Sequence, residues 1–400
     1  MIGGGPAGVF AAIEAKRTDP AAAVTLLTDE ACEPYEKPPL SKAVLTGKAL
    51  PEHAPIAGRG GTAAHSVVLA HTALCTAIDR AAREVVTAAG ERYRYDALVL
   101  ATGSLVRELP QLPLGMERVH YLRTEADARA LAAALRQCRH LVVVGGGLIG
   151  LEAAASAAEL GVRTTVLEVA PRILARVCDE ETSAFIAAEH RSRGIDLRTG
   201  TTITAVRAAA DAIAITTASG ETIAADLVVV GTGVKPNDTL AAAAGLAADQ
   251  GIVVDEQCRT SDPAIFAAGD AVRFPAPHGL VRLENWRHAQ DQGVVAGRNA
   301  AGRSEAYHPV PSFWSEQYDL YIQGVGWPPP QPDERIRRPL PGKSLLVFDI
   351  AGGMLVYAMG INAQRDLAAA RRLIERRIKL DPAALADPGR PLASLLKASV

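Results

Sequence analysis

Cysteine is scarce and scattered in this chain: Cys32, Cys75, Cys138, Cys178 and Cys258 form no CxxC or CxxxxC pair. Disulfide chemistry through a close cysteine pair is thereby excluded, and all five are expected to be reduced, small apolar side chains. Histidines stand singly, and His53, His65 and His71 share a polar stretch with no ligand-spaced cysteine, so no metal site is expected. No run approaches the roughly 20 apolar residues that cross a bilayer. No signal peptide precedes the first glycines either, so a soluble, cytoplasmic protein without a membrane partner is expected. A net charge of −2 gives no electrostatic reason to expect a nucleic-acid partner. Aromatics make up only 4% of the chain, whereas 48% is hydrophobic, rich in alanine and with 35 glycines. That balance suits helices layered on a sheet, and 400 residues suffice for two or three domains.

The glycines are placed with a purpose. Leu141-Val142-Val143-Val144 runs into Gly145-Gly146-Gly147-Leu148-Ile149-Gly150, and the chain opens on Gly3-Gly4-Gly5-Pro6-Ala7-Gly8. In each copy the first glycine allows a tight turn, the second lets backbone approach a pyrophosphate, and the third lets the helix pack on the sheet. Two such fingerprints imply two nucleotide cofactors. After the second come an alanine-rich helix over Leu151 to Leu160, a stop at Gly161, and a strand from Arg163 to Leu167 that ends on Glu168. An acid there is placed to bind an adenosine ribose and to repel the 2′-phosphate of NADP, which favours NADH. Arg172 stands close enough to offset part of that repulsion. The first copy is less regular: only Met1 and Ile2 precede it, and Thr28 occupies the place of Glu168. Asp29 and Glu30 follow directly, and either one could meet the ribose.

Strands alternate with helices, which predicts parallel sheets covered on both faces. Pro34 to Lys42 cannot enter a sheet interior and reads as loop, and Glu91 to Tyr95 reads as an antiparallel excursion. Asp96 to Leu100 ends in Ala101-Thr102-Gly103, and Leu227 to Val230 ends in Gly231-Thr232-Gly233, one Thr-Gly turn for each nucleotide unit. Ile265-Phe266-Ala267-Ala268-Gly269-Asp270 returns the chain to its first domain, as it would if one unit were inserted into another. From about Val310 the character changes, with Trp314, Trp327, Pro328-Pro329-Pro330 and a charged helix from Gln364 to Lys379. Its Arg371, Arg372, Arg376 and Arg377 offer either a solvated face or a docking patch.

Taken together, Gly3 to Gly8, Pro34 to Lys42, Ala101-Thr102-Gly103, Gly145 to Gly150, Thr260-Ser261-Asp262 through Asp270, Ala289 to Gly293, and Phe313-Trp314-Ser315-Glu316-Gln317-Tyr318-Asp319 resemble the NADH-dependent ferredoxin reductases of bacterial oxygenase systems. The resemblance runs through Ala370 to Ile374 and the stretch from Asp381 to Leu396. It implies an α/β fold with two Rossmann-like dinucleotide-binding domains, one inserted in the other, and a smaller C-terminal α+β domain. Residues 1–112 and 238–309 would bind FAD, 113–237 would bind NADH, and 310–400 would help dock a [2Fe–2S] ferredoxin that serves an oxygenase.

The same resemblance makes Lys37, Pro38, Arg123 and Asp270 FAD contacts, with Arg107 a further candidate, and Gly269 part of the same turn. It also makes Lys42 and Glu152 an ion pair beside the isoalloxazine. A lysine there favours an anionic reduced flavin, and its carboxylate partner limits the cost of burying the charge. Trp314 resembles the family tryptophan beside the flavin. Glu284, Asn285 and Trp286 would border the ring, although Trp286 reads equally well as core. Related peroxidases and coenzyme A disulfide reductases carry a redox cysteine near Ser41-Lys42, where this chain has lysine. The alternatives are an NADH oxidase or a reductase of quinones and other small oxidants, and, in another class, a signalling flavoprotein resembling apoptosis-inducing factor. The near-neutral charge counts against the last.

Overall fold

Ile2 pairs in parallel with Leu27 on one side and Leu100 on the other. Thr25–Leu27 pairs in parallel with Val68–Ala70, and Leu98–Leu100 with Ile265–Ala267. The strand order is therefore Val68–Ala70, Thr25–Leu27, Ile2, Leu98–Leu100, Ile265–Ala267. Leu26, Val99, Leu100 and Ile265 are fully buried, as expected of strands covered on both faces. Helix Pro6–Thr18 packs on helix Trp286–Ala300 so closely that Gly293 and Gly297 leave no room for a Cβ against the Ala7 and Ala11 carbonyls. The expected antiparallel excursion is a three-stranded meander of Cys75–Asp79, Glu84–Thr87 and Arg92–Arg94.

The computed structural model describes residues 1–209, 211–277 and 279–396. The chain forms two compact units, each discontinuous in sequence. The first comprises 1–138 and 229–309, and the second comprises 139–228 with the described residues from 310 onward. In the second, His140–Val144, Arg163–Leu167 and Asp196–Arg198 form a parallel sheet whose strands pair in that order. The same unit holds a five-stranded antiparallel sheet, ordered Ser312–Gln317, Leu320–Gly326, Met354–Ile361, Leu345–Ala351, Glu334–Pro339. Helix Gln364–Arg376 buries Leu367, Ala370 and Leu373 in a core with Leu346 and Phe348.

Three local expectations need correction. Pro34 to Lys42 is not all loop: Pro38–Ser41 is a 3₁₀ helix, because its two prolines have preset φ and sit where helix N–H groups have no partner anyway. The second nucleotide helix runs Leu148–Glu159, starting three residues before Leu151, since Gly147 is already its N-cap. The charged helix stops at Arg376, where Arg377 turns left-handed at φ +51°, instead of reaching Lys379.

Candidate functional site

The two glycine turns have the same build. Gly3 and Gly145 take φ values of +114° and +112°, closed to residues with a Cβ. A Cβ on Gly8 would lie 1.9 Å from the Gly3 carbonyl oxygen, and one on Gly150 would lie 2.1 Å from that of Gly145. By contrast, a Cβ on Gly5 or Gly147 meets nothing within 4 Å. Those middle glycines are the N-caps of helices Pro6–Thr18 and Leu148–Glu159, and neither helix has a side-chain cap. Each turn thus presents open space beside helix N–H groups that no cap occupies, which suits a pyrophosphate. Pro6, Ala7, Leu148 and Ile149 form the first helical turns, and Ile149 is 47% exposed.

The acids differ between the copies. Glu168 accepts from Gly146 N–H at 2.6 Å and from Ala170 N–H at 2.7 Å, which fixes it beside the second turn. At the equivalent place in the first copy, Gly4 faces the buried Thr28 hydroxyl. Glu30 accepts from the Tyr35 hydroxyl at 2.6 Å and from Lys37 Nζ at 3.2 Å, whereas Asp29 is exposed. Burial lowers the pKa of Lys37, and Glu30 opposes the shift. Burial, then the hydrogen bond to Glu30, raises that of Tyr35. Arg172 donates to the Cys178 and Ala175 carbonyls at 2.7 and 3.0 Å, so its guanidinium is tied to its own loop.

Several residues of the first unit converge on Asp270. Ser104 Oγ donates to its Oδ2 at 2.9 Å and Arg123 Nη2 at 3.3 Å, while Arg123 Nε holds the Ser104 carbonyl at 3.1 Å. Gly269 N–H donates to the buried Gln292 Oε1 at 2.8 Å. Ser104 and Gln292 were not foreseen as site residues. Gln292 lies within the Ala289–Gly293 motif, on the same helix that begins at Trp286, which is the signal that could have found it. The Thr102 hydroxyl donates to the Asn237 carbonyl, and Thr232 to that of Arg107, so the two Thr-Gly turns are hydrogen-bonded into the first unit. Arg107 itself is exposed, and Gly103 and Gly233 both have positive φ. Asn285 caps helix Trp286–Ala300 by accepting from His288 N–H at 2.8 Å, and Glu284 pairs with Arg282 at 2.5 Å. Trp286 meets Phe10 edge-on at 6.2 Å, and burial raises the pKa of Glu36.

Lys42 is the half-buried C-cap of the 3₁₀ turn. Glu152, 3% exposed in the second unit, accepts from the buried Ser315 hydroxyl at 2.6 Å. Trp314 is half-buried on strand Ser312–Gln317, opposite Gln323, and its side chain leaves the face that carries Ser315. The thiols are poorly placed for nucleophilic work. Burial pushes Cys32 and Cys178 up to about 12 and Cys75 to about 11, and it raises Cys258 further. Among the described residues no cluster of three or more His, Cys, Asp or Glu could hold a metal ion, and no helix is long and apolar enough to cross a membrane.

Two dinucleotide cradles in one chain define an oxidoreductase that works between two nucleotide cofactors. The chain belongs to the pyridine nucleotide-disulphide oxidoreductase family, whose model matches residues 1–293, and a reductase C-terminal model matches 312–396. It is 38% identical to rhodocoxin reductase of Rhodococcus erythropolis over 97% of this chain and 91% of that protein. It is 39% identical to the ferredoxin–NAD(+) reductase component of the anthranilate 1,2-dioxygenase system of Burkholderia cepacia, over 97% and 96%. Among solved structures, the covalent putidaredoxin reductase–putidaredoxin complex matches with a TM-score of 0.93 at 34% identity, over 100% of this chain and 97% of that one. A water-forming NADH oxidase from Lactobacillus brevis, 22% identical over 99% and 96% with a TM-score of 0.86, shares the fold alone.

Proposed function

We propose that this protein is an FAD-dependent ferredoxin–NAD(+) reductase that takes electrons from NADH and delivers them to a [2Fe–2S] ferredoxin serving a Rieske dioxygenase or a haem monooxygenase. The observation that carries this reading is the pair of equivalent glycine cradles in a chain with no close cysteine pair. When bound, FAD accepts a hydride from NADH and releases the two electrons one at a time. The chain's own residues bind and orient. Gly3, Gly5 and Gly8 with the first turn of helix Pro6–Thr18 would hold the FAD pyrophosphate, and Gly145, Gly147 and Gly150 that of NADH. Asp270, braced by Ser104 and Arg123, would accept from the FAD chain, and Glu168 would read the NADH ribose. Lys42, Glu152 and Trp314 are assigned to the reaction by the family resemblance. In this reading 1–112 with 238–309 bind FAD, 113–237 bind NADH, 310–400 serve the ferredoxin, and the protein works in the cytoplasm.

The test is anaerobic. Purified protein should hold one FAD, be bleached by NADH, and reduce a [2Fe–2S] ferredoxin far faster than it reduces oxygen or quinones. A preparation that binds no flavin after reconstitution would remove this reading, and turnover indifferent to ferredoxin would favour a small-oxidant reductase.

A further inference from the structure

Ser315 and Gln317 lie two residues apart on strand Ser312–Gln317, so they share its buried face, and both are fully buried. Ser315 Oγ donates to Glu152 Oε1 at 2.6 Å, and Gln317 Nε2 donates to Ser315 Oγ at 3.1 Å. On its other side Gln317 Oε1 meets His190 Nε2 at 2.8 Å. An amide oxygen can only accept, so Nε2 of His190 carries the proton. Nδ1 is then left to accept from the Tyr318 hydroxyl, 3.5 Å away. Burial lowers the pKa of His190, in keeping with a neutral ring of that tautomer. Arg193 closes the outer end, its guanidinium 4.3 Å from the centre of the Tyr318 ring.

Every bond in this series therefore donates towards Glu152. An amide in the middle does not hand a proton on, so the series fixes geometry and does not conduct. Buried polar side chains are expensive relative to apolar packing unless each is satisfied, and Ser315, Gln317 and His190 are linked in line to one carboxylate oxygen. We infer that Ser315, Gln317 and His190 are positioning residues that hold the Glu152 carboxylate in its working orientation. The C-terminal sheet and helix Glu180–Ser192 thus tune hydride transfer as well as scaffold it. The inference rests on the proposed placing of Glu152 in the reaction.

Anaerobic stopped-flow reduction of the flavin-loaded protein by NADH tests it, because limiting rate and apparent NADH affinity separate there. Ser315→Ala should lower the limiting rate by about tenfold, the scale of one lost hydrogen bond to a charged group, with NADH affinity and flavin content unchanged. Gln317→Met and His190→Phe should lower it by smaller factors, and Ser315→Thr, which keeps the hydroxyl, should restore most of it. Gln317→Met added to Glu152→Gln should cost nothing further, since a residue acting through Glu152 has nothing left to act on. Should Ser315→Ala fail to fold, this cycle decides alone. Parent-like limiting rates in Ser315→Ala and Gln317→Met, or a Gln317→Met loss that persists in full on Glu152→Gln, would overturn the inference. Parent-like reduction by Glu152→Gln would instead remove the placing of Glu152 beneath it.

Discussion

Glu168 and Arg172, four residues apart, are anchored on different parts of the backbone, and the proposed choice of NADH rests on that difference. Both carboxylate oxygens of Glu168 are anchored on backbone N–H groups at the second glycine turn, so its charge has a fixed position. Arg172, which the sequence leaves free to neutralise that charge, spends its donors on the carbonyls of Ala175 and Cys178. In the proposed reading, Glu168 presents a fixed negative charge to the NADH ribose that would repel a 2′-phosphate, and Arg172, held on its own loop, makes no ion pair with it. Glu168→Ala should lower the ratio of kcat/KM for NADH over NADPH by about tenfold or more, measured with a ferredoxin acceptor. An unchanged ratio would mean that Glu168 does not read the ribose. Its position was legible from the strand that precedes it. The anchoring of Arg172 was not, because it depends on carbonyls of a loop with no periodic pattern.

At the scale of elements, the two strand–turn–helix units can be disabled one at a time. An alanine at position 8 or 150 would drive its Cβ to 1.9 or 2.1 Å from a backbone oxygen of the same turn, which only a shift of the helix relieves. Gly8→Ala should therefore lose most of its flavin, read from the visible absorbance of the purified protein. Gly150→Ala should keep its flavin and raise the KM for NADH by about tenfold or more. Flavin loss from Gly150→Ala with retention by Gly8→Ala would reverse the assignment of the cradles. These units were readable because hydrophobic strand, glycine spacing and helix are local in sequence. Element ends were less so. Pro38–Ser41 coils into a 3₁₀ turn and helix Leu148–Glu159 starts at the glycine cap, both set by hydrogen bonds to the first turn and not by apolar periodicity. The braces around Asp270 and Glu152 were invisible, since Ser104 and Asp270 stand 166 residues apart and Glu152 and Ser315 stand 163 apart.

The five cysteines are scattered and unpaired with one another, and replacing all five by Ser or Ala should spare ferredoxin reduction in the folded fraction. Rapid disulfide reduction by the parent, abolished by one such replacement, would move the protein to the thiol-dependent branch of its family. Acid is the greater threat to the fold. His288 is buried, stacks on Phe274 at 4.9 Å and bonds Tyr307 at 2.8 Å, and burial drives its pKa down from 6.5 to about 4. Below pH 6.5 the unfolded chain takes up a proton there, while the folded chain refuses it until about pH 4. Stability is therefore full above pH 6.5 and falls as the pH drops towards 4, by roughly 3 kcal/mol at most from this group. Burial shifts His190, His120 and His140 in the same direction, which adds to the slope. The urea midpoint for loss of flavin should fall steeply between pH 7 and 5 in the parent protein. His288→Phe should start lower at pH 7, because the Tyr307 hydroxyl loses its 2.8 Å bond to the ring, yet show a distinctly shallower fall. Parallel curves for the two proteins would show that His288 titrates in the folded protein just as it does in the unfolded chain.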